Sequence, residues 1–220
     1  MRTYGQFCAL ARALDLVGDR WTLLIVRELL IRPCRYTDLR DGLPGIATNL
    51  LAERLRELEA ANIVERKEPE PPVATALYRL TERGEQLRPV VYQLLQWGAP
   101  LMVEGAGGDE FHSRWLAVAM EALLNRAGAA TPDVIVQLDT GDEPLVIEAS
   151  RGRVRARTGT APEPDLVVHG PPDAVLGVVM GFLEPGTQRA RSVTVDGDPA
   201  ALTRLRQGSS LGLKRGEPAR

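Results

Sequence analysis

The spacing of apolar residues divides the chain into a mainly helical first hundred residues and a second half in which alternating strands dominate. Leu14, Leu16, Val17, Trp21, Leu24, Ile25 and Leu29 form an apolar face wide enough for a small core, with Trp21 as a core anchor. Gly18-Asp19 interrupts that face, and Asp19 is placed to cap the helix that follows. Tyr36, Leu39 and Leu43 mark a short helix running into the turn Gly42-Leu43-Pro44-Gly45. From Thr48 to Ala61 a second helix buries one stripe, because Leu51, Leu55 and Leu58 recur at i, i+4 and i+7. Ile63 to Glu68 is extended, Glu70 to Ala74 is a Pro-rich tip, and Leu77 to Leu80 returns, with Tyr78 and Leu80 alternating against Arg79 and Thr81. Thr81 can cap a helix from Glu82 to Trp97, in which Pro89 should start a new turn or kink the axis. The order is that of a helix-turn-helix with a β-hairpin wing.

Gly98 to Asp109 combines Gly, Ala and Pro with little periodicity and reads as a boundary. The expected domains are 1–98 and 111–210, with a linker at 99–110 and a tail at 211–220. After the linker come a helix from Phe111 to Ala127 and strands at Val134–Leu138, Pro144–Glu148, Arg153–Thr158 and Asp165–Gly170. A nearly all-apolar helix follows from Pro172 to Leu183, then a strand at Val193–Asp196 and a helix from Pro199 to Gln207. The fold class is α+β.

Composition narrows the function. At 44% hydrophobic and 25% charged residues the chain reads as an ordinary soluble globular protein, and 220 residues is long for one winged helix. No apolar run approaches the ~20 residues of a membrane span, and a signal-peptide pattern is missing at the N-terminus. Two cysteines without a metal-ligand pattern point to a reducing cytoplasm. His112 and His169 belong to no nucleophile or metal pattern, and there is no phosphate loop or GxSxG, so neither an enzyme nor a cofactor or metal site is expected.

The free face of the second helix carries Thr48, Asn49, Ala52, Glu53 and Arg56, with Arg54 at its edge, the donors and acceptors that a recognition helix presents to base edges. The net charge of −2 (27 Lys plus Arg against 29 Asp plus Glu) does not oppose this, since only the groove-facing surface must be basic. Arg35, Arg40, Arg54, Arg56, Arg66 and Lys67 lie in the elements that would form that surface. The DNA-contacting set is expected to be Arg35, Thr37, Thr48, Asn49, Arg54, Arg56, Arg66 and Lys67.

Three blocks, CALARALDLVGDRWTLLIVRELL (Cys8 to Leu30), RYTDLRDGLPGIATNLLAERLRELEAANIVERK (Arg35 to Lys67) and YRLTERGEQLRPV (Tyr78 to Val90) with Trp97-Gly98, closely resemble the HxlR family of bacterial winged-helix regulators. The resemblance implies a homodimer on double-stranded DNA at a pseudo-palindromic operator, with the residues around Phe7 to Leu14 packing against the last helix across the dimer. Two departures stand out. Ala47 occupies a position where the family commonly has Ser or Thr, a capping role that Thr48 can assume. The wing reads EPEPP, with Glu68 and Glu70 beside Arg66 and Lys67, which makes it a poor minor-groove reader. Cys8 occupies the position of the cysteine that some members use to sense oxidants or electrophiles.

The second half resembles the sterol carrier protein fold through GDEPLVIEASRGRVRARTG, PDLVVHGPPDAVLGVVMG and VTVDGDPAALTRL. That resemblance implies an apolar tunnel for a lipid-like effector, lined by Trp115, Met120, Val179, Met180, Phe182 and Leu183, or else a filled core that enlarges the dimer. The expectation is a regulator, more a repressor than an activator, tuned by such an effector. A thiol switch at Cys8 with an inert tail, and a lipid or small-molecule carrier, are the alternatives.

Overall fold

A computed structural model describes residues 3–68, 75–102, 108–125 and 132–207. The chain separates into two compact units, Met1–Gln93 and Leu94–Arg220. In the first unit the order is α1 (Ala9–Val17), α2 (Thr22–Ile31), α3 (Tyr36–Asp41), α4 (Thr48–Ala60), β1 (Val64–Lys67), β2 (Leu77–Leu80), α5 (Glu82–Glu85) and the start of α6 (Arg88–Gly98). Its core forms where the leucine stripe of α4 meets α2 and α3. Leu51, Leu55 and Leu58 are 0 to 2% exposed and are joined in the core by Ile25, Val26, Leu29, Leu39 and Leu43. Each such side chain contributes roughly 1.5–3 kcal/mol on burial, so α4 has one well-determined orientation and one face left to solvent.

β1 and β2 pair antiparallel, from Val64 opposite Leu80 to Lys67 opposite Leu77. The Thr81 hydroxyl accepts from the Gly84 N–H at 3.1 Å, which is the expected cap of α5. Gly84 is required there, because a Cβ would stand 2.1 Å from the Ile63 carbonyl oxygen. The expected single helix from Glu82 to Trp97 is two helices. α5 stops at Glu85, and Pro89, which has no N–H to give, occupies the second position of α6, where none is needed.

Four further expectations are corrected. Trp21 does not anchor the core from within a helix; it is half-buried with φ +79°, at the junction before α2, and its ring lies beside Gly45. Leu14 and Leu24, assigned to the same apolar face, remain exposed. Asp19 does not cap α2 through its side chain: its carbonyl accepts from the Thr22 N–H at 3.2 Å, and its carboxylate is taken by Arg54. Thr48 likewise does not cap α4, which begins at Thr48 itself after Ala47 with no side-chain cap.

Inside this unit Glu28 is 2% exposed, and Arg27 closes on its carboxylate with Nη2 at 2.7 Å and Nε at 3.2 Å. The same Nη2 donates to the Gly42 carbonyl at 3.2 Å, tying α2 to the end of α3.

The second unit contains the end of α6, a 3-10 turn (Ala99–Met102), α7 (Trp115–Leu124), β3 (Val134–Asp139), β4 (Leu145–Ser150), β5 (Arg153–Thr158), β6 (Leu166–His169), α8 (Pro172–Met180), a 3-10 turn (Gln188–Ala190), β7 (Thr194–Gly197) and α9 (Ala200–Arg206). The strands form one sheet in the order β5-β4-β3-β6-β7, parallel only between β3 and β6. Register places Val134, Val136, Leu138, Leu145, Ile147, Ala149, Val154, Leu166 and Val168 on one face, all buried. The other face carries Arg153, Arg155, Arg157, Glu148, Gln137, Asp139 and His169, exposed or half-buried.

The outer edge of β5 is satisfied by side chains of α7. Asn125, just past its end, accepts from the Val154 N–H at 2.7 Å and donates to the Val154 carbonyl at 2.8 Å, while Glu121 accepts from the Ala156 N–H at 3.0 Å. α8 stops three residues before the expected Leu183, because Gly181 turns left-handed at φ +81° and the N–H groups of Phe182 and Leu183 both return to the Gly177 carbonyl. The wing tip (70–74), the end of the helix expected to reach Ala127, part of the expected linker (103–107) and the expected tail (211–220) lie outside the described residues.

Glu28→Ala is expected to lower the unfolding free energy by about 3 kcal/mol, because it removes the carboxylate that balances the charge of the mostly buried Arg27 guanidinium. A urea melt showing a loss below about 1 kcal/mol would mean that the pair behaves like a surface ion pair.

Candidate nucleic-acid interface

Helices α3 and α4 are joined by six residues in which Gly45 takes φ +83°, a conformation that glycine adopts without strain. The corner is closed by the Tyr36 hydroxyl, which donates to the Thr48 carbonyl at 2.7 Å. At the start of α3 the Arg35 N–H donates to the Asp38 carboxylate at 3.0 Å, leaving the Arg35 side chain exposed. Opposite the leucine stripe of α4 stand Thr48, Asn49, Glu53 and Arg56, all exposed. Arg56 folds along its own helix, with Nε 3.2 Å from the Ala52 carbonyl. Thr37 and Arg40 are exposed on α3.

Arg54 is placed differently from the rest of the expected set. Its side chain is 15% exposed, and one guanidinium nitrogen bonds both Asp19, in the turn between α1 and α2, and Glu57, one turn along α4. Its Nε is buried without a hydrogen-bond partner among the described residues.

On the wing, Arg66 and Lys67 are exposed at the end of β1, and Arg66 pairs with Glu68 at 3.2 Å. Arg79 pairs with Glu65 across the two strands. A cavity of about 350 Å³ is lined by Tyr36, Arg66, Glu68, Thr75, Ala76 and Tyr78. Burial raises the Tyr78 hydroxyl above its ordinary value of 10.0, and the positive charge of Arg66 acts against that rise. Neither Tyr36 nor Tyr78 was among the expected contacts. In the sequence both count as apolar positions of a helix or strand, and nothing in their spacing announces that their hydroxyls converge with Arg66.

A second cavity, of about 380 Å³, is lined by Glu53, Arg56, Glu57 and Ala60 along the outer side of α4. Glu53 and Glu57 there flank the exposed Arg56 with two carboxylates, so no net positive charge gathers on this side of the helix.

The residues expected to line a ligand tunnel are spread between core and surface. Met120 of α7 and Val179 and Met180 of α8 are buried, and Trp115 and Leu183 are half-buried. Phe182 is 54% exposed beyond the end of α8, and Leu183 folds back onto Gly177. Both described cavities belong to the N-terminal unit. Cys8 is exposed at the N-cap of α1, whereas Cys34 is buried with its thiol 3.3 Å from the Arg32 carbonyl. His169 stands 3.5 Å from both Asp139 and Asp196 across the β3, β6 and β7 strands. Among the described residues no group of three metal-ligating side chains occurs, and no helix is long and apolar enough to cross a membrane.

The HxlR-like helix-turn-helix family matches residues 16–105, ending before α7. The HTH-type transcriptional regulator YodB of Bacillus subtilis is 42% identical over 86 residues, which are 39% of this chain and 76% of YodB. An uncharacterized HTH-type transcriptional regulator of the same organism, YvaP, is 37% identical over 87 residues, 39% of this chain and 80% of its own length. A solved structure of YodB from B. subtilis in its reduced form is 37% identical, covering 46% of this chain and 99% of that one, with a TM-score of 0.39.

Because burial raises the Tyr78 hydroxyl, the folded chain resists its ionisation more than the unfolded chain does. Stability linked to Tyr78 is therefore intact below pH 10 and falls as the pH rises beyond it. An ultraviolet titration is expected to show one late-ionising tyrosine that disappears in Tyr78→Phe; persistence of the late phase in that variant would assign it elsewhere.

Proposed function

The chain belongs to the HxlR-like helix-turn-helix family of transcriptional regulators, and on that premise we propose that it is a cytoplasmic, homodimeric repressor reading a pseudo-palindromic operator with the N-terminal half of α4. The observation carrying this reading is the exposure of Thr48, Asn49 and Arg56 opposite a fully buried leucine stripe. Asn49 and Arg56 supply the side chains that pair bidentately with base edges in the major groove, and Thr48 a shorter donor and acceptor. Arg35, Thr37, Arg66 and Lys67 contact phosphates, which fix register without carrying sequence information. The pairing of Arg66 with Glu68 limits what the wing adds.

Dimerisation is supported by apolar surface that a lone chain leaves in water. Phe7, Leu10 and Leu14 recur at i, i+3 and i+7 on and before α1, and Val90, Leu94 and Trp97 at i, i+4 and i+7 on α6, all exposed. A second copy covers these stripes and sets two α4 helices one DNA turn apart.

The C-terminal unit is the sensor in this reading, built as a sterol-carrier-like α+β domain. An apolar effector would have to open space among Met120, Val179 and Met180, which are packed in the core. A second reading keeps the unit structural and places the switch at Cys8, whose exposed thiol precedes α1 and the stripe proposed for dimerisation.

Duplexes enriched by the purified chain from a random 30-base-pair pool provide the test, by gel shift at fixed salt before and after organic extraction and again with oxidant. Asn49→Ala and Arg56→Ala are each expected to weaken the enriched duplex roughly tenfold or more while sparing scrambled DNA. Lys67→Ala should weaken both equally and reduce the salt slope by about 1. Wild-type affinity in both α4 variants would exclude reading by that helix. Failure to enrich any duplex would leave a small-molecule carrier as the better account, and release by oxidant that vanishes in Cys8→Ser would favour the thiol switch.

A further inference from the structure

Arg54 lies on the recognition helix but faces away from the groove. It stands two positions before Arg56, a rotation of about 200° around the axis, and its side chain is 15% exposed where that of Arg56 is open. Its guanidinium is shared by Asp19 and Glu57. A move toward a phosphate would leave two carboxylates beside the DNA backbone without their counter-charge, and the repulsion would offset what the new contact contributes. The partner across this clamp is well held. Asp19 sits in the short turn between α1 and α2, Trp21 in that turn takes φ +79°, and the Trp21 ring lies beside Gly45 of the α3–α4 corner. The turn therefore meets the α3–α4 motif at two places, by charge at Arg54 and at Gly45, where a Cβ would stand 3.9 Å from the Trp21 ring.

We propose that Arg54 is a positioning residue rather than a DNA contact: the Asp19–Arg54–Glu57 clamp fixes the pitch of α4 against the α1–α2 turn, and so the angle at which Asn49 and Arg56 enter the groove. This rests on the reading of α4 as the recognition helix. The clamp also joins α4 to the turn directly after α1, the helix proposed to form the dimer, so it links the spacing of the two recognition helices to their tilt. One nitrogen of Arg54 reaches both carboxylates, and lysine would bring there a more strongly hydrated charge on a more flexible stem, a looser clamp.

The test uses the duplex that the wild-type full-length chain enriches from a random pool, with dissociation constants measured across a salt series. Asp19→Asn, Arg54→Lys and Arg54→Ala are each expected to weaken the enriched duplex roughly tenfold, to leave scrambled DNA almost unaffected and to keep the wild-type salt slope. Asp19→Asn with Arg54→Ala should be no weaker than the worse single variant, as for two ends of one contact. A phosphate contact gives the opposite pattern: the slope falls by about 0.9 in Arg54→Ala, scrambled DNA weakens in parallel, and Asp19→Asn binds as wild type. That pattern would overturn the proposal. Asp19→Asn is conservative and exposed, so its result stands even where Arg54→Ala unfolds the domain. If the wild-type chain enriches no duplex, reading by α4 fails, and the role of the clamp in it falls as well; a wild-type chain that reads DNA with an indifferent Asp19→Asn removes the clamp alone.

Discussion

The reading motif depends on a carboxylate held out of water. Glu28 sits in the interior of α2, and a buried carboxylate is tolerated only when paired and hydrogen-bonded. Arg27 closes on it and reaches on to the Gly42 carbonyl, where α3 ends and the turn toward α4 begins. The net free energy of a buried ion pair is small, because desolvation offsets most of the attraction. Its direction matters more. Leucines packing from α4 onto α2 can slide by fractions of a side chain at little cost, whereas a guanidinium spanning a carboxylate and a carbonyl has one geometry. The apolar stripe decides that α4 packs, and polar contacts at its corner, including Tyr36 to Thr48, decide where its N-terminus lies.

The C-terminal unit solves a different problem with the same type of contact. β5 is an edge strand, and an open edge invites pairing with another chain. Asn125 and Glu121 occupy its outward N–H and carbonyl groups, so α7 serves as a side-chain substitute for a sixth strand. At the other side of the sheet the β7 residue Gly197 takes φ +113° and passes so close to Asp165 that a Cβ would stand 2.4 Å from its carbonyl oxygen. Asp198 precedes α9, its carboxyl held below the usual range by Arg204 and by the Ala200 N–H. The Arg206 guanidinium closes the end of α8 by donating to the Val178 and Val179 carbonyls.

Elements that bury one face were legible in the sequence, because burial imposes a period. The α4 stripe, the β3 and β6 alternation and the Thr81 cap are found where the residues place them. What could not be read was set by contacts between distant segments. Trp21 looks like one more apolar position of a helix face, yet the chain has to turn between α1 and α2, and the turn puts it in a left-handed conformation. Asp19 looks like a cap, but a guanidinium thirty-five residues away competes for the carboxylate and wins, since a charge-assisted pair is stronger than a neutral N–H contact. Tyr36 and Tyr78 are hidden for the opposite reason: their rings satisfy the local pattern while their hydroxyls take part in non-local chemistry.

Arg54 and Arg56 show why a basic helix cannot be read as a basic surface. Counted by composition, the segment Glu53-Arg54-Leu55-Arg56-Glu57 has two cations and two anions and no net charge. Placed on a helix, Arg54 turns toward the α1–α2 turn and is neutralised twice, by Asp19 and Glu57, while Arg56 stays exposed beside Glu53. One arginine is thus absorbed by the scaffold, and the other stands exposed on the outer side of α4. α4 begins after Ala47 with no side-chain cap, on the face where Thr48 and Asn49 stand exposed. A capping hydroxyl at position 47 would satisfy one of the leading N–H donors internally, and Ala47 offers none.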